Sequence, residues 1–329
     1  MARFLRSKQR PSLQQCSEIL SSEVSAGRLE EVAEIVARLV PRYLQEDVIN
    51  RYFSLWERHG FHLTPVNYYS PIPDTRELKD ELWMKHSELP GIDLNVKRQL
   101  NLLLNVFPRF REEYLRFPHD PPADDKAFYF NNTMFSGTDA LVLYCMVRHF
   151  RPRLIVEVGS GYSTRVLSEA AIRNGHTEIK CIEPHPDDTI GRLPNVTEVI
   201  TRPVQDVDMR LFQKLGNRDI LFVDTSHTVK CGGDLNYLCL EVVPRLRKGV
   251  IIHFHDIFLP KEYPKRWVLD LHIFYNEQYL VQALLVLSSG LEIVFLNSYM
   301  GLMYQEEMRR TFPNSPWWDA GGSCWIMRK

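Results

Sequence analysis

The feature that most constrains the fold is an alternation, from Arg151 to the end of the chain, of short apolar runs with amphipathic stretches. The apolar runs are LIVEV, IKCIE, VTEVI, DILFVD, GVIIHFHD, LEIVFLN and SCWIMRK. Short buried strands separated by helices predict an α/β fold with a doubly wound, mainly parallel sheet. The last two runs are separated by a loop that contains PNSPWW, so we expect them to form an antiparallel pair at the edge of the sheet.

The N-terminal part of the chain has a different pattern. From Pro11 to about Leu115, apolar residues recur three and four positions apart, which predicts a mostly helical region. The segment FHLTPVNYYSPIPDTREL contains too many prolines for regular structure, and PHDPPADDK, residues 118–126, is typical of a linker. We therefore expect an N-terminal helical region over residues 1–125 and a second domain over residues 126–329.

Composition bounds the kinds of partner that this chain can have. With 44% hydrophobic residues, 25% charged residues and a formal net charge of −1, its overall charge attracts neither nucleic acid nor an anionic membrane. No apolar run is long enough to span a bilayer, and the basic stretch MARFLRSKQRPSLQQ lacks the apolar core of a secretion signal. The 6 cysteines are scattered and form no CxxC pair. These observations predict a cytoplasmic protein with reduced cysteines.

Ionisable side chains end the first strands that the pattern predicts. They are Glu157, Glu183, Asp224 and the pair His255–Asp256. Open parallel sheets bind ligands beyond the carboxyl ends of their strands, near the point where the strand order reverses. A single carboxylate in such a place is explained by capping of the following helix. All of them together favour a ligand site.

The segment EVGSGYST follows the first predicted strand and limits the type of ligand. A phosphate loop needs a lysine after its last glycine, but tyrosine, serine and threonine follow Gly161. A dinucleotide turn needs a third glycine, where Thr164 stands here. What remains is a turn in which Gly159 and Gly161 let the backbone approach a ligand near Glu157. Glu183 ends the next strand, about where a ribose diol would be held.

The ordered motifs EVGSGYS, CIEP, FVDTSH and VIIHFHDI resemble those of class I S-adenosylmethionine (SAM)-dependent methyltransferases. The resemblance extends from about Phe128 to Lys329 and is closest to methyltransferase family 24, in a bacterial branch associated with sugar and glycan biosynthesis. It implies a Rossmann-like, doubly wound sheet with an antiparallel last strand, and SAM as the cofactor. Where the family often has a third glycine in the turn, this chain has Ser163.

The resemblance also assigns cofactor contacts to positions of this sequence. Glu183 is implied to hold the ribose hydroxyls, and Gln205 and Asp206 are implied to lie beside the adenine. The full set implied to bind SAM is Glu157, Gly159, Gly161, Ser163, Glu183, Gln205, Asp206 and Asp224.

Methylation of a hydroxyl requires more than the cofactor. An alkyl hydroxyl holds its proton about as tightly as water, with a pKa of roughly 15–16, so the reaction needs a base, a metal or both. In one hypothesis Asp224 and Asp256, with or without His255, bind Mg²⁺ or another divalent cation, and His227 takes the proton. Some sugar O-methyltransferases that the chain resembles have such a histidine followed by an acidic pair, whose first position is His255 here. In the other hypothesis there is no metal, His227 or His255 is the base, and Asp256 orients it.

Aromatic and amide side chains after the strand that ends in Asp256 suit a sugar through stacking and hydrogen bonds. The residues that we predict to contact the acceptor are Tyr263, Trp267, Asn276 and Tyr279, although each is equally explained as a core or interface residue. Asp139, near the start of an apolar helix, is a further candidate, with helix capping as the alternative.

The sequence therefore predicts a SAM-dependent O-methyltransferase that acts on a hydroxyl of a sugar, a glycan or a related small molecule. One alternative is a metal-independent O- or N-methyltransferase for another small molecule. A second alternative is a non-catalytic binding module with a methyltransferase-like fold in a glycan assembly complex. In each case the N-terminal helical region would shape the substrate side or an interface in a homo-oligomer.

Overall fold

A computed structural model describes residues 14–15, 17–18, 21–22, 28–39, 46–318 and 321–329. The chain divides into two compact units, Met1–Leu78 and Lys79–Lys329. Residues 79–125 thus belong to the same compact unit as the sheet, although the sequence pattern places them with the N-terminal helices. The assignment of a helical region over residues 1–125 and a cofactor domain over residues 126–329 stays a prediction.

The first unit contains two helices within its described residues, α1 (Leu29–Leu39) and α2 (Glu46–Arg58). At the end of α2, the rings of Trp56 and Phe61 lie 5.4 Å apart. In the segment SLQQCSEILSSEV, which belongs to the predicted helical region, the described residues 14–15, 17–18 and 21–22 are helical, and the others lie outside the described residues.

The second unit is built on one mixed sheet of seven strands. The strands are β1 (Leu154–Val158), β2 (Glu178–Ile182), β3 (Val196–Ile200), β4 (Ile220–Val223), β5 (Ile251–Phe254), β6 (Leu291–Leu296) and β7 (Cys324–Arg328). Their order is β3-β2-β1-β4-β5-β7-β6, with β1 to β5 parallel and β7 antiparallel to both of its neighbours. This confirms the predicted Rossmann-like, doubly wound α/β sheet with an antiparallel last strand.

Helices cover both faces of this sheet. The α-helices of the second unit are α3 (Glu81–Met84), α4 (Val96–Asn101), α5 (Arg111–Tyr114), α6 (Gly137–Phe150), α7 (Tyr162–Asn174), α8 (Arg210–Gln213), α9 (Asp234–Tyr237), α10 (Lys265–Leu269), α11 (Glu277–Leu285), α12 (Asn297–Met303) and α13 (Gln305–Thr311). Short 3₁₀ segments cover Ile190–Arg192 and Val204–Asp206.

Two of the expected long helices change their winding where a proline enters them. The first runs through α4, a π segment at Leu102–Val106, a 3₁₀ turn at Phe107–Phe110 and α5. The second runs through α9, a π segment at Leu238–Val242 and a 3₁₀ turn at Val243–Arg245. Pro108 and Pro244 stand in these 3₁₀ turns and have no N–H for the regular helical bond, so the backbone winds differently before them.

The sheet separates two apolar layers. Ile155 and Phe222 face the layer that contains α6 and α7, and Val156 and Leu221 face the layer on the other side. Helix α6 is buried over almost its whole length. The parallel strands β2, β1 and β4 are in register, with Val158 beside both Ile182 and Val223, so their carboxyl ends meet at one edge of the sheet.

Two further properties follow from the described residues. Their cysteines are free thiols: Cys145, Cys181, Cys231, Cys239 and Cys324. No helix in the described part of the chain is long and apolar enough to cross a membrane.

Candidate functional site

The turn after β1 brings the backbone of two strands into close contact. Gly159 has a φ of +83°, and a Cβ at this position would lie 1.7 Å from the carbonyl oxygen of Asp224. Only glycine therefore fits between the ends of β1 and β4. Gly161 differs, because its φ of −177° is ordinary extended backbone and a Cβ there would meet no atom within 4 Å. The second glycine leaves open space at the start of α7.

Glu157 and Ser163 hold this turn together from below. The carboxylate of Glu157 is fully buried and accepts hydrogen bonds from the hydroxyls of Ser163, at 2.8 Å, and Thr164, at 2.6 Å. Burial raises the pKa of Glu157 to about 7, although these hydrogen bonds oppose the shift. Both predicted cofactor residues thus have partners within the protein, and a direct contact of either with a ligand stays a prediction.

A recess of about 360 Å³ lies beyond the ends of β1, β2 and β4, at the point where the strand order reverses. Of the residues predicted to bind SAM, it is lined by Gly159, Glu183, Gln205 and Asp224. The Glu183 carboxylate is held in place because it accepts hydrogen bonds from the backbone N–H groups of His185, at 2.8 Å, and Ser160, at 3.3 Å. This is the usual ligand position of a doubly wound sheet.

Of the two residues predicted to lie beside the adenine, Gln205 lines this recess and Asp206 does not. Asp206 is exposed and does not line the recess. Gln205 lines it, and its side-chain amide donates to the carbonyl of Gly232 at 2.8 Å. The amide of Gln205 therefore closes one wall of the recess against the loop before α9.

Four predicted catalytic side chains, Asp224, His227, His255 and Asp256, meet beside this recess. The Nε2 atom of His227 lies 3.3 Å from the Asp224 carboxylate and 3.5 Å from the Asp256 carboxylate. The Nδ1 atom of His255 lies 3.5 Å from each of the same two carboxylates. Asp224 belongs to both places, because it also lines the recess. The structure thus brings these four side chains together, whereas their catalytic roles stay predictions.

Asp224, His227, His255 and Asp256 form a cluster, and the loops that carry it are tightly constrained. His227 and Asp256 both have positive φ, at 55° and 56°, a conformation that costs free energy for residues other than glycine. The loop of His227 is fixed from α11, because Asn276 Oδ1 accepts a hydrogen bond from Val229 N at 2.5 Å. Backbone strain of this kind is typical of functional sites.

Two buried carboxylates stand behind the histidines on the side away from the cluster centre. Glu277, fully buried at the start of α11, lies 2.8 Å from Nδ1 of His227. Asp139, at the start of α6, lies 3.6 Å from Nε2 of His255 and also accepts hydrogen bonds from the N–H groups of Gly322 and Ser323. Glu277 was not predicted from the sequence, since an acidic residue at a helix start looks like an ordinary first-turn residue.

The charges of this cluster shift its proton affinities. Burial by itself lowers the pKa of His227, but hydrogen bonds to Asp224 and Glu277 outweigh it and raise the pKa to about 10. For His255, burial likewise acts downward, and the charges of Asp224 and Asp256 raise the pKa well above its ordinary value. Burial raises the pKa of Glu277 to about 7. In the ligand-free protein at neutral pH, His227 therefore carries a proton.

The donor types in this cluster would suit a divalent cation, as carboxylates and imidazoles with carboxylate partners on their far nitrogens are common metal ligands. In the described part of the chain, however, no group of three or more His, Cys, Asp or Glu residues is arranged to hold a metal ion. The histidines pair with the carboxylates directly instead. The cation predicted at Asp224 and Asp256 stays a prediction.

The side chains predicted to contact the acceptor fall into two groups. Tyr263 is buried, and its hydroxyl accepts a hydrogen bond from Gln278 N, while Asn276 supports the His227 loop. Tyr279 is exposed, and its hydroxyl donates to Glu262 at 2.5 Å. These hydrogen bonds are with the protein itself.

Trp267 is the last of the residues predicted to contact the acceptor. It is half-buried, and its ring stands edge-on to that of Tyr275 at 5.9 Å. Tyr275 is also half-buried and lies 4.6 Å from the His227 ring. Tyr275 was not predicted, although it stands directly before Asn276 in the sequence.

Comparison with known proteins shows which sequences this chain is similar to. The sequence model of methyltransferase family 24, described as a methyltransferase domain, matches residues 156–257, which contain the turn after β1 and all four residues of the cluster. The match covers less than half of the chain, so residues 156–257 are similar to a methyltransferase domain. An uncharacterised protein of Archaeoglobus fulgidus is 34% identical over 162 residues, which cover 46% of this chain and 72% of that protein. The two chains belong to one family.

Solved structures are similar to this chain at lower sequence identity. The S-adenosylhomocysteine (SAH)-bound methyltransferase PaMTH1 of Podospora anserina is 20% identical, with a TM-score of 0.39, and covers 70% of this chain and 88% of its own. An O-methyltransferase of Bacillus cereus in complex with SAH is 13% identical, with a TM-score of 0.34, over 71% of this chain and 97% of its own. At such scores the similarity carries no argument about activity.

Proposed function

We propose that this protein is a SAM-dependent O-methyltransferase that acts on a hydroxyl of a sugar, a glycan or a related small molecule. The observation that carries the proposal is the contact of Asp224 with both places. Asp224 lines the recess at the switch point, and its carboxylate lies 3.3 Å from the imidazole of His227. A ligand in the recess and a proton acceptor are thus adjacent in the segment that is similar to a methyltransferase domain.

The cofactor would be held by the residues that line the recess. The Glu183 carboxylate, fixed by two backbone N–H groups, would accept hydrogen bonds from a ribose diol. When bound, SAM supplies an electrophilic methyl group on a positively charged sulfonium. Asp224 lies at the inner wall, where its negative charge would favour that positive charge.

His227 would take the proton of the acceptor hydroxyl at Nε2. Its contacts to Asp224 and Asp256 at 3.3 and 3.5 Å are long, and a hydroxyl can replace one of them. Glu277 accepts from Nδ1–H and so keeps Nε2 free for the proton. Since His227 is protonated at neutral pH in the ligand-free protein, a nearby positive charge in the recess would help it to lose that proton.

The acceptor would lie against Trp267 and Tyr275. Both rings are half-buried, and Tyr275 packs on the ring of His227. Aromatic faces stack on the apolar faces of sugars, and their polar edges form hydrogen bonds. This arrangement supports a sugar or a similarly sized cyclic acceptor.

The test is methyl transfer from SAM labelled in its methyl group to a panel of free sugars, methyl glycosides and nucleotide sugars. We expect an alkali-stable methyl ether from at least one of them. His227→Ala should abolish this product while it leaves SAH binding within about twofold of wild type. An amine acceptor needs no such base, so methylation that persists in His227→Ala would favour the N-methyltransferase alternative.

The proposed reaction includes no step on a divalent cation, because Asp224, Asp256 and His255 are not arranged to hold one in the described part of the chain. The cation predicted at these residues stays a prediction. Activity that survives removal of metals with a chelator would eliminate it and leave the His227 mechanism. Absence of SAH binding at millimolar concentration would instead favour a non-catalytic binding module.

A further inference from the structure

A second recess lies at the opposite end of the strands from the cofactor recess. It has a volume of about 610 Å³ and is lined at its polar positions by Arg153, Glu178, Lys180, Arg210, Lys214 and Arg247, with Gln213 beside them. Arg153 directly precedes β1, and Glu178 begins β2. Since β1 has five residues, about 15 Å of strand separates this end from the cofactor recess.

The charge of this recess departs from that of the chain. Arginine and lysine side chains supply most of its lining, and the single acidic residue that lines it is Glu178. The whole chain, by contrast, has a formal net charge of −1. Positive charge is thus concentrated in one concave place, where it attracts anions.

Most of these cations form no ion pair with another residue that the structure describes. Lys180 pairs with Glu198 at 2.6 Å, and Arg153 lies 3.8 Å from Asp219. In the part of the chain that the structure describes, Arg210, Lys214 and Arg247 form no ion pair. Arg210 and Lys214 are four residues apart, so they lie on the same face at α8 and point their charge to one wall.

We propose that this basic recess binds a small soluble molecule that carries two or more phosphate groups. Guanidinium groups match phosphate oxygens with two parallel hydrogen bonds, which makes arginine the preferred residue for such ligands. The concave shape and a volume of about 610 Å³ favour a compact ligand over a flat membrane surface. Because the recess lies at the other end of the sheet, this site is independent of the methyl-transfer site.

The test is calorimetric titration of the full chain with inorganic triphosphate at fixed ionic strength. Wild type should bind one equivalent, and the double variant Arg210→Gln/Arg247→Gln should bind about a hundredfold more weakly, from about tenfold for each charged hydrogen bond lost. The matched control is Arg116→Gln, which removes an exposed arginine outside the recess. This control should bind like wild type, and all proteins should keep the melting temperature and SAH affinity of wild type.

Three results would overturn the proposal. They are no triphosphate binding by wild type, equal weakening in Arg116→Gln and the double variant, and capture by phosphatidylglycerol vesicles or duplex DNA without binding of triphosphate. Since SAH affinity is measured on the same samples, failure here is distinguishable from failure of the proposed methyl transfer.

Discussion

Replacement of Gly159 by alanine should strongly destabilise the unit that contains the sheet. The added Cβ would lie 1.7 Å from the carbonyl oxygen of Asp224 and 2.7 Å from its carbonyl carbon. Both atoms belong to the backbone, so rotation of a side chain cannot relieve the clash. The φ of +83° adds strain that alanine has and glycine does not.

The size of the effect follows from these two contributions. Left-handed backbone costs a non-glycine residue about 1–2 kcal/mol, and an extra carbon in a packed place costs about 1–3 kcal/mol. The free energy of unfolding should therefore fall by about 2–5 kcal/mol. In a domain of this size each kcal/mol lowers the melting temperature by about 2–4 °C, so the expected decrease is roughly 4–20 °C.

The matched control is Gly161→Ala, two positions later in the same turn. Gly161 has extended φ, and a Cβ there meets no atom within 4 Å, so stability should stay within about 0.5 kcal/mol of wild type. If the cofactor lies against this turn, the methyl group of the new alanine should instead crowd the cofactor. A cost of about 1–3 kcal/mol would weaken SAH binding by roughly fivefold to more than a hundredfold.

Thermal unfolding and calorimetric titration with SAH measure both effects. Equal melting temperatures of Gly159→Ala and wild type would refute the backbone contact between the ends of β1 and β4. A Gly161→Ala variant that binds SAH as tightly as wild type would refute the position of the cofactor against the turn.

Four further predictions concern the cluster and its surroundings. If neutral His227 is the base and its pKa is about 10, kcat/KM should rise about tenfold per pH unit from pH 7 to 9. Glu277→Gln removes one of the groups that raise the pKa of His227, so the rise in kcat/KM should move to lower pH and its plateau should fall by about a hundredfold. An unchanged pH profile would exclude a role of Glu277 in positioning His227. Trp267→Ala should raise KM for the acceptor and leave SAH affinity unchanged, and an effect on SAH alone would contradict the acceptor position. The pKa of His227 is raised above its ordinary 6.5, so its ion pairs stabilise the fold fully below pH 6.5. This stabilisation is lost as the pH approaches 10. Chemical denaturation should show the loss, by at most about 1.4 kcal/mol per pH unit, in wild type and not in His227→Gln.

The sheet and the convergence of Asp224, His227, His255 and Asp256 could be predicted because they depend on local pattern. A strand buried on both faces reads as an unbroken apolar run, and parallel strands bring their carboxyl ends to one edge. The helix patterns were less informative about winding. Pro108 and Pro244 turn parts of two expected helices into π and 3₁₀ segments.

The partners of the site residues could not be predicted, because they come from distant parts of the chain. Glu277 reaches His227 across 50 residues, and Asp139 reaches the backbone of Gly322 across 183. The burial of the Glu157 carboxylate could not be predicted from the sequence either. Glu157 looks like a ligand residue at a strand end, and its oxygens are used by neighbouring hydroxyls beneath the turn.

A crystal structure of the protein with SAH tests the central claim most directly. We expect density for the nucleoside in the recess lined by Glu183 and Gln205. The sulfur should face the Asp224 side, about 5–7 Å from Nε2 of His227, so that one hydroxyl group fits between them. Density for SAH elsewhere, or a sulfur that points away from His227, would contradict the account.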